Sequence, residues 1–153
     1  MRIVLIMFIF IQMSVAELEL ASRFPKLTLV DQFDNNITLP SKGTHTIMFS
    51  FERDVSREIK NFLNTKNEGY LDEHNITYIS DISGMPSFVT NWFALPKMKE
   101  FNFKIGLIYD KEIGENINRE EGKVTLVKLN DNNITSIQFV VPKALNQALN
   151  IKD

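Results

Sequence analysis

Thr46-Ile-Met-Phe-Ser-Phe51 runs directly into Glu52-Arg-Asp-Val-Ser-Arg57, and the reading of that junction decides the fold. The first segment is apolar apart from two small hydroxyl residues and has a β-branched start. That composition reads as a central strand buried on both faces. From Val55 the period changes. Val55, Ile59, Phe62 and Leu63 recur at three- and four-residue steps, which puts them on one face of a helix over residues 55–66. Asp54 stands just ahead of it, where an acceptor side chain can satisfy free amides of the first turn, and is the expected N-cap. A buried strand leading at once into an amphipathic helix implies a layered α/β architecture.

Working outward, Lys26–Val30 and Ile37–Leu39 read as strands paired across the turn Asp34-Asn35-Asn36, because Asn and Asp tolerate turn backbones. Ile76–Ser80 and Ile105–Tyr109 are further strands. Val124–Leu129 and Ile134–Val140 flank Asn130-Asp-Asn-Asn133, a strong hairpin signal. A second helix is expected over residues 86–100, with Pro86 in its first turn, Ser83 as the candidate cap and Pro96 as a kink or break. Its Phe88, Val89, Trp92, Phe93 and Met98 form a broad apolar surface. Helical spacing favours core packing for these residues over a ligand groove. A terminal helix over residues 143–150 carries Ala144, Leu145, Ala148 and Leu149. The expected order is β-β-β-α-β-α-β-β-β-α. Its natural packing is a central mixed sheet with helices on both faces, a three-layer α/β sandwich.

That order, and three stretches within it, resemble the thioredoxin-like superfamily, especially its exported, peroxiredoxin-like branch. Leu27-Thr-Leu-Val-Asp-Gln-Phe-Asp34 is similar to the opening hairpin of that branch. Thr46–Phe51 is similar to the strand leading to the redox loop. Lys123-Val-Thr-Leu-Val-Lys-Leu-Asn130 is similar to the later strand that runs into a hairpin turn. The resemblance covers residues 26–150 and is one of pattern. It implies a dithiol at the strand–helix junction and a cis-proline before the later strand. Here Asp54 and Arg57 stand in the cysteine places, and Val124 stands near the proline's. Asp81-Ile-Ser-Gly-Met-Pro86 and Phe93-Ala-Leu-Pro-Lys-Met98 are also similar to segments of small exported proteins of unknown function in the campylobacter group.

Composition narrows the chemistry. The chain has no cysteine, which removes disulfides, thiolate nucleophiles and thiolate-held metals. With two histidines, His45 and His74, it has no basis for a His-rich metal site. Both are expected at the surface or at a strand edge. Basic and acidic residues nearly balance, at 17 and 19, and are scattered, so no nucleic-acid footprint is expected. No Gly-rich phosphate motif is present, and no cofactor or metal is expected. The start of the chain reads as an export signal over residues 1–16. Arg2 is followed by the apolar run Ile3–Ile11, then by small Ser14 and Ala16 ahead of a cut between Ala16 and Glu17. The run is too short to span a bilayer comfortably, so no stable membrane anchor is expected after cleavage. Residues 17–153 would then form one periplasmic domain.

Two sets of residues stand out. Arg53, Asp54, Ser56 and Arg57 lie at a helix N-terminus, where backbone amides can hold an anion. The alternative is a capped helix with solvated charges. Ser56 has no His or Lys base nearby in sequence, so it is not expected to act as a nucleophile. Arg119-Glu-Glu-Gly122 reads as a solvated loop. The other set is Asp34-Asn-Asn36-Ile-Thr38, Glu73-His-Asn75-Ile-Thr77 and Asp131-Asn-Asn133-Ile-Thr135. Each is an Asn-x-Thr glycan acceptor with an acid two places earlier, the form preferred by bacterial N-glycosylation. Chance would give roughly 0.2 such matches, although good turn chemistry accounts for part of the excess. The expected function is a non-catalytic binding or accessory module for another periplasmic protein or a small ligand. The alternatives are an anion carrier at residues 51–57 and an enzyme using non-thiol groups.

Overall fold

The computed structural model describes residues 17–43 and 45–151. The leader assigned to residues 1–16 lies outside them.

The first hairpin pairs β1 (Leu27–Asp31) with β2 (Asn36–Leu39). The central strand is β3 (His45–Ser50), with β4 (Ile76–Asp81) parallel on one side and β6 (Val124–Asn130) antiparallel on the other. β5 (Gly106–Ile108) is parallel to β4 and antiparallel to β1, while β7 (Asn133–Val140) closes the far edge against β6. The sheet order is β2-β1-β5-β4-β3-β6-β7. The turn between β6 and β7 places Asp131 and Asn132 at φ 46° and 72°. Two successive left-handed residues match the twist of the flanking strands, which is why Asp-Asn signals a tight hairpin.

Alternation sorts the strands into two buried faces. Met48, Tyr78, Leu107 and Leu126 join one cluster, and Ile47, Phe49, Ile79, Ile108 and Val127 join the other. The first face is roofed by helix α1 (Arg53–Leu63), which sends in Val55, Ile59 and Leu63. Each side chain so buried contributes about 1.5–3 kcal/mol. The short α2 (Tyr70–Glu73) and α6 (Leu145–Leu149) cover the same face, the latter after a 3-10 turn over Pro142–Ala144. The second face is covered more thinly. It has α5 (Lys111–Glu115), whose Ile113 packs against the cluster, together with Leu18, Phe24 and Ile117. The sandwich therefore has the expected three layers, unequal in weight.

Two short helices, α2 and α5, were not expected. Helix α5 is held by its Asp110 cap, whose carboxylate accepts from Glu112 N at 2.9 Å, and it lies close to the sheet. A Cβ on Gly114 would overlap the Asp81 carboxylate. The segment expected as one helix over residues 86–100 is α3 (Ser87–Val89), a π-turn over Thr90–Ala94 and α4 (Leu95–Met98). Pro96 explains the wide turn. It has no N–H to give, and its ring would press on the carbonyl four residues back. One extra residue in the preceding turn relieves that clash and lets the helix continue.

Candidate functional site

The strand–helix junction sits at the edge where β3 and β4 end, since Ser50 is level with Ser80. Helix α1 begins two residues earlier than its apolar pattern, at Arg53. Its cap position is Glu52, with no side-chain cap bond. Asp54 is therefore inside the first turn, not at the cap. Its carboxylate pairs instead with Arg57 at 2.9 Å, with both side chains largely exposed. Such a surface pair contributes about 0–1 kcal/mol. Glu52 reaches away from the helix and accepts the Gly122 amide at 2.7 Å. Arg119 lies 4.9 Å from the Phe51 ring centre. These two contacts tie the loop before β6 to the start of α1. Glu120 and Glu121 are exposed, and Glu120 pairs with Lys123.

Ser56 turns inward. Its hydroxyl donates to the Glu52 carbonyl at 2.9 Å and lies 2.8 Å from Ser50 Oγ. Ser50 Oγ is in turn 3.0 Å from Tyr78 OH and 3.2 Å from Ser80 Oγ. Four hydroxyls thus share a buried network beneath the start of α1. Burial pushes the Tyr78 phenol above its ordinary value, against the lowering effect of its serine partners, so it stays neutral. The Ser56 hydroxyl contacts two serine hydroxyls and a carbonyl, which are not bases at neutral pH and do not activate it as a nucleophile. The four residues singled out at this helix start do not converge. Arg53, Asp54 and Arg57 face solvent, and Ser56 belongs to the network below.

The aromatic residues expected in the core are largely outside it. Phe88, Trp92 and Phe93 are 65%, 79% and 67% exposed. The π-turn changes the phase of the segment. Thr90 becomes buried and Ala94, Leu95 and Met98 half-buried, while the large rings point outward. Phe88 and Trp92, four apart, lie on neighbouring turns. This segment follows β4, and α1 follows β3, so both leave the sheet from the same edge. The combination of a proline four residues after Trp92 with small Thr90 and Ala94 was the sequence signal for this inversion.

A groove of about 550 Å³ lies at the other end of the sheet. Phe33, Tyr70, Phe101 and Phe103 line it with Asp72 and Lys104. Sequence reasoning missed it because its walls come from separate loops. Asn36, Asn75 and Asn133 are all exposed. His74 is exposed as expected, but His45 is not at the surface. It is buried, with Nε2 2.7 Å from Thr77 Oγ1.

No protein-family model and no curated protein matches the sequence. Solved structures do match the fold. The thioredoxin domain of a thiol-disulfide oxidoreductase from Bacteroides vulgatus is 14% identical with a TM-score of 0.55, covering 88% of this chain and 100% of that one. A peroxidoxin from Mycobacterium tuberculosis is 14% identical with a TM-score of 0.58, covering 87% and 95%. StoA from Bacillus subtilis is 15% identical with a TM-score of 0.53, covering 83% and 97%. The fold is thioredoxin-like. The chain carries it without a cysteine, so it cannot exchange thiols and disulfides through side chains of its own.

Proposed function

We propose that this protein is an exported, redox-inactive thioredoxin-like module that binds another periplasmic protein through the aromatic surface of residues 88–93. The observation that carries the reading is the exposure of Phe88, Trp92 and Phe93 together on one segment. Large aromatic side chains left in water on a small domain are uncommon, and clustered ones mark interaction surfaces. They supply much contact area at little cost in side-chain entropy, which is why Trp and Tyr dominate binding hot spots. The surface leaves the same edge as the junction that holds the dithiol in redox-active thioredoxin-like proteins. Here that junction is occupied by an outward ion pair and buried hydroxyls.

The test is co-isolation from extract of the native host, comparing wild type with a Phe88→Ser, Trp92→Ser, Phe93→Ser variant. One protein retained by wild type and lost from the folded variant supports the reading. The same retained set for both removes the aromatic surface from it.

A second reading is favoured by the groove. Its volume lies in the range of small-molecule sites, and its aromatic walls with Lys104 would suit an apolar ligand carrying an anionic group. A thermal-shift screen with aromatic carboxylates tests it, and an unchanged Tm across the panel argues against it.

A further inference from the structure

We infer that Asn36, Asn75 and Asn133 are acceptor sites for N-linked oligosaccharide, and that they gather the glycans on the end of the sheet opposite the aromatic surface. The inference rests on the exported reading, because the transfer takes place outside the cytoplasm.

The acceptor pattern is the same three times: an acid, any residue, then Asn-Ile-Thr. Turn chemistry accounts for only part of it. Asp34, Asp131 and Asn132 take left-handed backbones, as does Asn75 at φ 52°, and Asn or Asp is favoured there. Asn36 and Asn133 have no such backbone. They are the first residues of β2 and β7, where asparagine is a poor strand former. The threonine two places later is not a turn requirement at any of the three sites.

The topology brings the sites to one end. β3 and β4 start there, and β6 ends there, since His45 is level with Leu129. The Asn75 carbonyl accepts the Thr46 amide at 2.9 Å, so Asn75 sits at the start of β4, beside the start of β3. The hairpin turn carrying Asn133 sits on the other side. Asn75 directly precedes β4 and Asn133 begins β7, so three strand spacings separate them by about 14 Å. β1 ends where β5 begins, with Asp31 level with Gly106, so the turn before Asn36 emerges toward the same end. Phe33 and Ile37 line the same groove as Asp72 and Ile76. A bulky, hydrated glycan on each asparagine would cover this end against association and leave the opposite edge open.

The chemistry is a group transfer from a lipid-pyrophosphate-linked oligosaccharide. The asparagine amide nitrogen forms a bond to C1 of the first sugar. The C1–oxygen bond breaks, the lipid pyrophosphate leaves with the electron pair, and an amide proton passes to the transferase. The transferase must also engage the threonine. Thr38 is exposed on the edge strand β2, and Thr135 is exposed on the edge strand β7, although its hydroxyl donates to Lys128 O at 3.0 Å. Thr77 is half-buried in an interior strand and held by His45 at 2.7 Å. Folded protein is therefore modified at Asn36 first, then Asn133, with Asn75 last.

Intact-mass analysis of the protein from its native host tests the inference. The expected spectrum starts at Glu17 and carries one to three equal oligosaccharide increments. Asn36→Gln, Asn75→Gln and Asn133→Gln should each abolish their own increment, and the triple variant should run at the bare mature mass. Thr38→Val, which leaves Asn36 in place, should lose the same increment as Asn36→Gln. A bare mass starting at Glu17 overturns the glycan inference and leaves export standing. A bare mass starting at Met1 overturns both. Increments that persist in the triple variant also overturn it, because they lie elsewhere.

Discussion

Gln32 lies between the first strand and the turn Asp34-Asn35-Asn36, yet it is buried to 1% exposure. Its side-chain amide donates to Phe103 O at 2.8 Å and accepts from Ile105 N at 3.0 Å. It thus pins the loop before β5 to the end of β1. Gln32→Ala leaves a buried amide and carbonyl without partners, at a cost of about 1–3 kcal/mol. Urea unfolding should show a lower midpoint of that size with an unchanged slope. His45 makes a pH prediction. Burial lowers its pKa below the ordinary 6.5, so the folded state favours the neutral ring. The resulting stability is fully present above about pH 6.5 and is lost as pH falls through the depressed folded value. Urea midpoints should fall between pH 7.5 and pH 5, and His45→Gln should flatten that part of the curve. Asp31 acts in a lower window. Burial would raise its pKa, but the Asn35 and Phe33 hydrogen bonds outweigh that and hold it below 3.8. Its stabilisation is therefore lost only in stronger acid. Neither Gln32 nor His45 is legible as buried in the sequence, because their partners are 32 or more residues away.

The elements were more legible than their ends. β3 and α1 follow from one change of period at Val55, and the β6–β7 hairpin from four turn-forming residues. The helix start was misplaced because Asp54 looks like a cap, while the backbone begins to coil at Arg53 and Asp54 finds Arg57 instead. Helix α5 is too short to show a period. The segment after Pro86 departs furthest from its apolar pattern. A 3.6-residue wheel puts Trp92 inward, and the π-turn ahead of Pro96 brings it out. Trp92 is the chain's only tryptophan, so its fluorescence reports this directly. In the free, folded protein its emission should lie near that of indole in water and be quenched freely by iodide. Blue-shifted emission protected from iodide would put the ring back in the core. Pro96→Ala removes the reason for the wide turn, and a change in Trp92 quenching without loss of fold is the expected result.

At the scale of the molecule, the order of strands and helices was sufficient to anticipate a thioredoxin-like sandwich, and the absence of cysteine to exclude its usual chemistry. The division of the surface was not legible, because it depends on which edge each loop leaves. One edge carries the aromatic segment and the tied start of α1. The other carries the groove and three acid-led asparagines. The proposed binding role needs one open face, and the edge where β3 and β4 end supplies one. The most direct test is site-specific photo-crosslinking in the native host, with a photoreactive side chain placed at Trp92 and, for comparison, at Thr38 on the opposite side. The account predicts a discrete adduct with one exported protein from position 92, weakened by Phe88→Ser and absent from position 38. No adduct from position 92, or the same adducts from both positions, would contradict it.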